Sequence, residues 1–84
     1  MANTYRTTFT AECPNNHQVV SYILGIEADH VIMAEKILAE TAAAKDLGKP
    51  YHENMADYLF TELGGRQTMK AFHHGVWIET RRGF

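Results

Sequence analysis

One cysteine, two prolines and one tryptophan are spread over 84 residues. A lone thiol, Cys13, excludes an internal disulfide, so this chain cannot be a disulfide-stapled secreted scaffold. No apolar run approaches the ~20 residues a bilayer-crossing helix needs, so no membrane partner is expected. Met1-Ala2-Asn3-Thr4 carries no basic segment with a hydrophobic stretch behind it, so no secretory leader is expected either. Together with the free thiol this points to the cytoplasm. Positive charge is also scarce. Eight Lys plus Arg face ten Asp plus Glu, a formal net charge of −2, and Arg81-Arg82 is the sole pair of adjacent cations. A duplex binder needs a basic face of about six or more cations, so no nucleic-acid partner is expected. There are no repeats, linkers or low-complexity tracts.

What is present is a globular composition, 45% hydrophobic and 21% charged, with room for one domain spanning residues 1–84. A chain of this size buries only about 60–65% of its unfolded surface. Oligomerisation or a metal is then expected to supply the missing stability.

Residues 5–13 alternate as a strand: Tyr5, Thr7, Phe9, Ala11 and Cys13 share one face. Pro14-Asn15-Asn16 breaks it. Residues 18–27 form a second strand with Val20, Tyr22, Leu24 and Ile26 on one face, an antiparallel partner of the first. Val31-Ile32-Met33 fits either an extension of the sheet or the start of a helix. A helix follows over 34–47, with Ile37, Leu38, Thr41 and Ala44 as its stripe and Gly48 after it. Pro50 suits the first turn of a second helix running to Leu63, striped by Met55, Tyr58, Leu59 and Leu63. Gly64-Gly65 ends that helix. Residues 67–80 read as one further strand with a bulge at Gly75. The class is therefore α+β, an antiparallel sheet with two helices on one face, in the order β-β-α-α-β. The uncovered second sheet face and its free edges favour joining a larger sheet.

The residues able to carry chemistry are few. Cys13, at a strand end before Pro14, is a small buried hydrophobe, a nucleophile or a metal ligand. Cys13 and His17 have a C-x3-H spacing, to which His73 or His74 could add a third metal ligand. His73 and His74, adjacent in a strand, offer proton transfer near neutral pH. Tyr51-His52-Glu53 opens the second helix, where a carboxylate gains from free backbone N–H groups. The same carboxylate could accept two adjacent N–H donors from a guanine-like or pterin-like edge.

Taken together, Phe9-Thr10-Ala11-Glu12-Cys13-Pro14, Ala34-Glu35-Lys36-Ile37, Tyr51-His52-Glu53 and His73-His74-Gly75 resemble the tunnelling fold (T-fold), the superfamily of GTP cyclohydrolase I and 7-cyano-7-deazaguanine nitrile reductase. The resemblance spans most of residues 5–83. It implies subunits that assemble into a barrel, with sites for a small heterocyclic ligand at the interfaces of a homo-oligomer. It implies that Glu53 anchors the ring through its N–H edge, with His52 and Trp77 (or Phe72) completing the ring contact. Cys13-Pro14 resembles the reductase Cys-Pro, whose thiolate attacks the nitrile to give a thioimide. In the cyclohydrolase pattern the same cysteine binds zinc, which makes Cys13, His17 and His73 the candidate ligands. His73 and His74 would transfer protons. The departures are specific. The reductase pattern has an Asp seven residues after the Cys, where this chain has Val20, and its cofactor-binding Glu-Ser-Lys is here Ala34-Glu35-Lys36. The cyclohydrolase pattern has Cys-x-x-His and a second Cys, where this chain has Asn16 and Gly75. The resemblance thus points first to a cyclohydrolase-like enzyme of pterin or deazapurine metabolism, with zinc as the implied metal. A nitrile-reductase-like enzyme using Cys13 and NADPH is the alternative, and a non-enzymatic binding or assembly protein keeping the fold is the third.

Overall fold

A computed structural model describes residues 2–84. Four strands and two helices follow in the order β1 (Asn3–Glu12), β2 (Val19–Ala28), α1 (Ala34–Lys45), α2 (His52–Leu63), β3 (Arg66–His73) and β4 (Val76–Arg82). The strands make one antiparallel sheet in the order β1-β2-β3-β4. Both helices lie in the connection between β2 and β3 and pack on one sheet face. The expected α+β class and helix-covered sheet hold, and the alternation in β1 and β2 is as read. Ala11, Val20, Tyr22, Leu24 and Ile26 turn inward, because side chains two apart share a face.

The last stretch differs from the expectation of one bulged strand. His74 (φ 53°) and Gly75 (φ 81°) both take left-handed backbone, and His73 pairs directly with Val76. Two successive positive-φ residues make a primed turn, which matches the twist of a tight hairpin. The chain therefore reverses at Gly75 and adds a fourth strand. Val31-Ile32-Met33 forms neither strand nor helix. Ile32 is buried there and its N–H donates to the Tyr5 hydroxyl at 3.0 Å. In α1 the inward stripe is Ile37, Thr41 and Ala44. Leu38 is 59% exposed and stands outside it. The helix ends at Lys45, short of Leu47. Pro50 precedes α2, whose N-cap is Tyr51 and whose buried positions are His52, Met55, Ala56, Leu59 and Leu63. Tyr58 instead reaches across to α1, its hydroxyl donating to Glu40 Oε1 at 2.7 Å. That bond, with further help from burial, pushes the phenol up to about 12.

Leu24, Ile26, Met55, Leu59 and Met69 are the largest wholly buried side chains and sit between α2 and the two central strands. No helix among the described residues is long and apolar enough to cross a membrane. One end of the sheet is closed by glycine. Gly65 (φ 76°) lies so near β2 that a Cβ would sit 2.8 Å from the Glu27 carbonyl, and a Cβ on Gly83 (φ 82°) would sit 2.8 Å from the Phe60 ring. Positive φ and crowding add at both positions. Gly83→Ala is expected to lower unfolding stability by about 1–3 kcal/mol, read from urea midpoints. Gly75→Ala, where a Cβ meets nothing within 4 Å, retains only the backbone strain and should cost less.

Candidate functional site

Away from the glycine-closed end, the ends of β1 and β3 meet the start of α2 around a recess of about 80 Å³. Its chemistry-bearing walls are Cys13, Tyr22, Tyr51, His52, Glu53 and His73. The strand register brings this about. Cys13 continues the inward face of β1, and β3 ends on its inward face at His73. Tyr22 is the one hydroxyl on a β2 face otherwise filled by Val20, Leu24 and Ile26.

The loop after Cys13 is held by its own backbone. Cys13 N–H donates to Gln18 O at 2.8 Å and His17 N–H to Cys13 O at 2.9 Å, while Gln18 N–H donates to Asn16 Oδ1 at 3.0 Å. The Tyr51 hydroxyl donates to Asn15 Oδ1 at 2.7 Å, tying the start of α2 to this loop. Cys13 is 4% exposed. Tyr22 stacks on Phe9 with centroids 5.2 Å apart and tilts against His52 at 5.4 Å. Burial raises its phenol above the ordinary value near 10, and the charges of Cys13 and Glu53 add to the shift. Tyr22 therefore stays protonated beside both groups.

His52 is 6% exposed. Its Nε2 lies 3.0 Å from the Met69 carbonyl and 3.1 Å from Thr80 Oγ1. A carbonyl only accepts, so the ring proton sits on Nε2. The lone pair is left on Nδ1, which is buried without a partner. Burial lowers the pKa from 6.5, with Arg82 and His73 acting in the same direction against the Met69 carbonyl and Glu53. The unfolded chain thus binds this proton near pH 6.5 and the native chain only below it. The contribution of His52 to stability is complete above pH 6.5 and lost as pH falls through the lowered native value. Urea midpoints measured from pH 7.5 down to 5 should fall, and the slope should flatten in His52→Gln.

His73 is half-buried, and its Nε2 is also buried without a partner. Its ring lies 4.3 Å from that of exposed His74, which hydrogen-bonds the Asn16 side chain. His73 and Cys13 therefore reach the recess together with His52 and Glu53, whereas His74 stands on the rim. His17 does not join them. It sits exposed with φ 62° and its Nδ1 donates to Glu12 Oε1 at 2.6 Å. Among the described residues no three His, Cys, Asp or Glu side chains are grouped as metal ligands. Cys13, His17 and His73 thus do not form the expected zinc set, since the C-x3-H loop turns His17 outward.

Trp77 falls outside the recess. It pairs with Phe72 on the open sheet face, centroids 5.1 Å apart, and is 67% exposed. Neither aromatic lines the recess with Glu53. Tyr22 and Thr80 belong to the site and were not singled out from sequence. A hydroxyl in an aliphatic strand face was the available signal for Tyr22. Thr80 depends on the hairpin, which alternation alone does not reveal.

No family model matches the chain, and no curated protein matches it. Among solved structures, it is similar to the crystal structure of an archaeosine synthase QueF-like protein in its apo form. The TM-score is 0.71 over 99% of this chain and 94% of that one, at 20% sequence identity. The chain has the T-fold. The identity is low enough that the likeness is one of architecture, and within the T-fold the local chemistry rests on the recess itself.

Proposed function

We propose that this T-fold chain binds a 7-deazaguanine-type ring at the recess and forms a covalent thioimide between Cys13 Sγ and a nitrile carbon on that ring. The observation that carries this reading is the convergence of a buried thiol, a helix-start carboxylate and two partnerless imidazole nitrogens in one recess. Glu53 offers its two oxygens to adjacent N–H groups of the ring, a charge-assisted pairing, and His52 Nδ1 accepts a further N–H. The solved neighbour named for archaeosine, a deazapurine, favours this ring class. The resemblance carried by the sequence motifs leans toward cyclohydrolase-like hydrolysis, with zinc a possible metal. Thiol chemistry is the better reading because His17, one of the expected zinc ligands, is turned outward to Glu12, and no three His, Cys, Asp or Glu side chains among the described residues are grouped to hold a metal.

One subunit does not complete the pocket. Its recess of about 80 Å³ compares with the ~300 Å³ or more of ordinary ligand sites, and Glu53 is exposed. Ile23, Phe72 and Trp77 on the open face are exposed too, and the edges of β1 and β4 are unpaired within the sheet. A homo-oligomer that pairs these edges would roof the recess and exclude water from the Glu53 contact.

The reading is tested by calorimetric titration of the oligomer with guanine, 7-deazaguanine and pterin rings. Binding of 7-deazaguanine at micromolar affinity is expected. Binding of pterin alone, or of none of the three, would contradict the assignment.

A further inference from the structure

Adding a thiol to a nitrile moves one proton. The S–H bond breaks, an S–C bond forms, one π bond of C≡N is lost, and the nitrogen ends as N–H. We propose that His73 moves that proton, accepting it at Nε2 from Cys13 and returning it to the nitrile nitrogen. This inference rests on the thioimide reading above and assigns a residue to a step that reading leaves open.

The recess supplies few candidates, and most are engaged elsewhere. Tyr22 is held protonated chiefly by burial, so it is no useful base. The Tyr51 hydroxyl donates to Asn15. Glu53 is exposed and assigned to the ring edge. His52 has a free Nδ1, but becoming an imidazolium there would bury a charge at 6% exposure beside Arg82, which is costly.

His73 combines two properties. Its Nε2 is wholly buried and has no hydrogen-bond partner, while the residue as a whole is only half-buried. A transient positive charge can therefore be hydrated on the exposed side of the ring while Nε2 itself stays dry. The charged and titratable groups around it are Cys13 from the end of β1, Tyr22 from β2, Tyr51 at the N-cap of α2, His52 and Glu53 from α2, and His74 in its own hairpin. A buried ring nitrogen without a partner disfavours the folded state. Its placement is explained if a reacting proton is what it receives.

That last point gives the test its discrimination. His73→Phe removes no hydrogen bond, so its thermal midpoint is expected to equal or exceed that of the wild type. Its affinity for 7-deazaguanine, which has no nitrile, should be unchanged. The rate of adduct formation with 7-cyano-7-deazaguanine, followed by intact-protein mass, should fall about a hundredfold or more. In His73→Ala the rate should fall likewise and recover in proportion to added imidazole, which a purely structural role would not produce. Adduct formation by His73→Phe at the wild-type rate would overturn the inference. So would a parallel loss of ring affinity, which would make His73 a binding residue, or a failure of imidazole to restore His73→Ala. If wild-type protein binds the ring and forms no adduct, the thioimide reading fails and this assignment fails with it.

Discussion

Cys13→Ala is expected to abolish covalent capture of 7-cyano-7-deazaguanine while leaving affinity for the nitrile-free ring unchanged. The loss should be three orders of magnitude or more in rate, roughly 4 kcal/mol of transition-state stabilisation, because no other recess side chain is a comparable nucleophile. Tyr22 is the nearest alternative, and burial keeps its oxygen protonated. Cys13→Ser should behave like alanine, since a hydroxyl is not ionised near neutral pH. The fold should survive both changes. Cys13 is small and lies at the edge of the core, and the loop around it is held by backbone bonds that do not involve Sγ. Stopped-flow binding and intact-protein mass, run on the same samples, separate the two effects.

The second large effect is expected at Glu53. Glu53→Ala should weaken binding of 7-deazaguanine about a hundredfold, roughly 2.7 kcal/mol, since two charge-assisted hydrogen bonds are lost together. Glu53→Gln keeps one acceptor oxygen and should fall between the two. The bland role of Glu53 gives a different signature. As an acidic residue in the first turn of α2, it stabilises the helix by about 0.3–1 kcal/mol, and losing that alone would lower the thermal midpoint slightly and leave affinity untouched. Calorimetry and thermal melts on the same variant therefore distinguish an anchor from a helix-start carboxylate.

Much of this architecture is legible in the sequence. Period-two alternation over Tyr5–Cys13 and Val20–Ile26 identifies two half-buried strands, because a buried face leaves only one register open. The stripe in α2 was likewise visible, and His52, three and four residues before Met55 and Ala56, falls on it. The hairpin was not visible for a local reason. Two-residue hairpins usually announce themselves with Asn-Gly or Asp-Gly, and here His74 takes the left-handed position, so His-Gly reads as an interrupted strand. Leu38 misled for the opposite reason, since its spacing fits the stripe but α1 covers only part of the sheet and leaves that side to solvent. In the site, the sequence puts Cys13 at the end of the first strand, His52 and Glu53 together at the start of the second helix and His73 on a later strand, and the fold draws these three elements together. The direction of a side chain at a loop or a turn was beyond it. His17 turns to Glu12 because its own positive φ redirects the loop, which alternation does not encode. Trp77 points opposite to Ile78, as alternation requires, and joins Phe72 on the open face.

The T-fold recess as a site of thiol chemistry is tested most directly by incubating the protein with 7-cyano-7-deazaguanine and recording the intact mass, followed by peptide mapping. The expected result is one adduct per chain, mapped to Cys13, absent with 7-deazaguanine and reduced in Glu53→Ala. An unmodified mass at saturating ligand, or modification at a residue outside the recess, would contradict it.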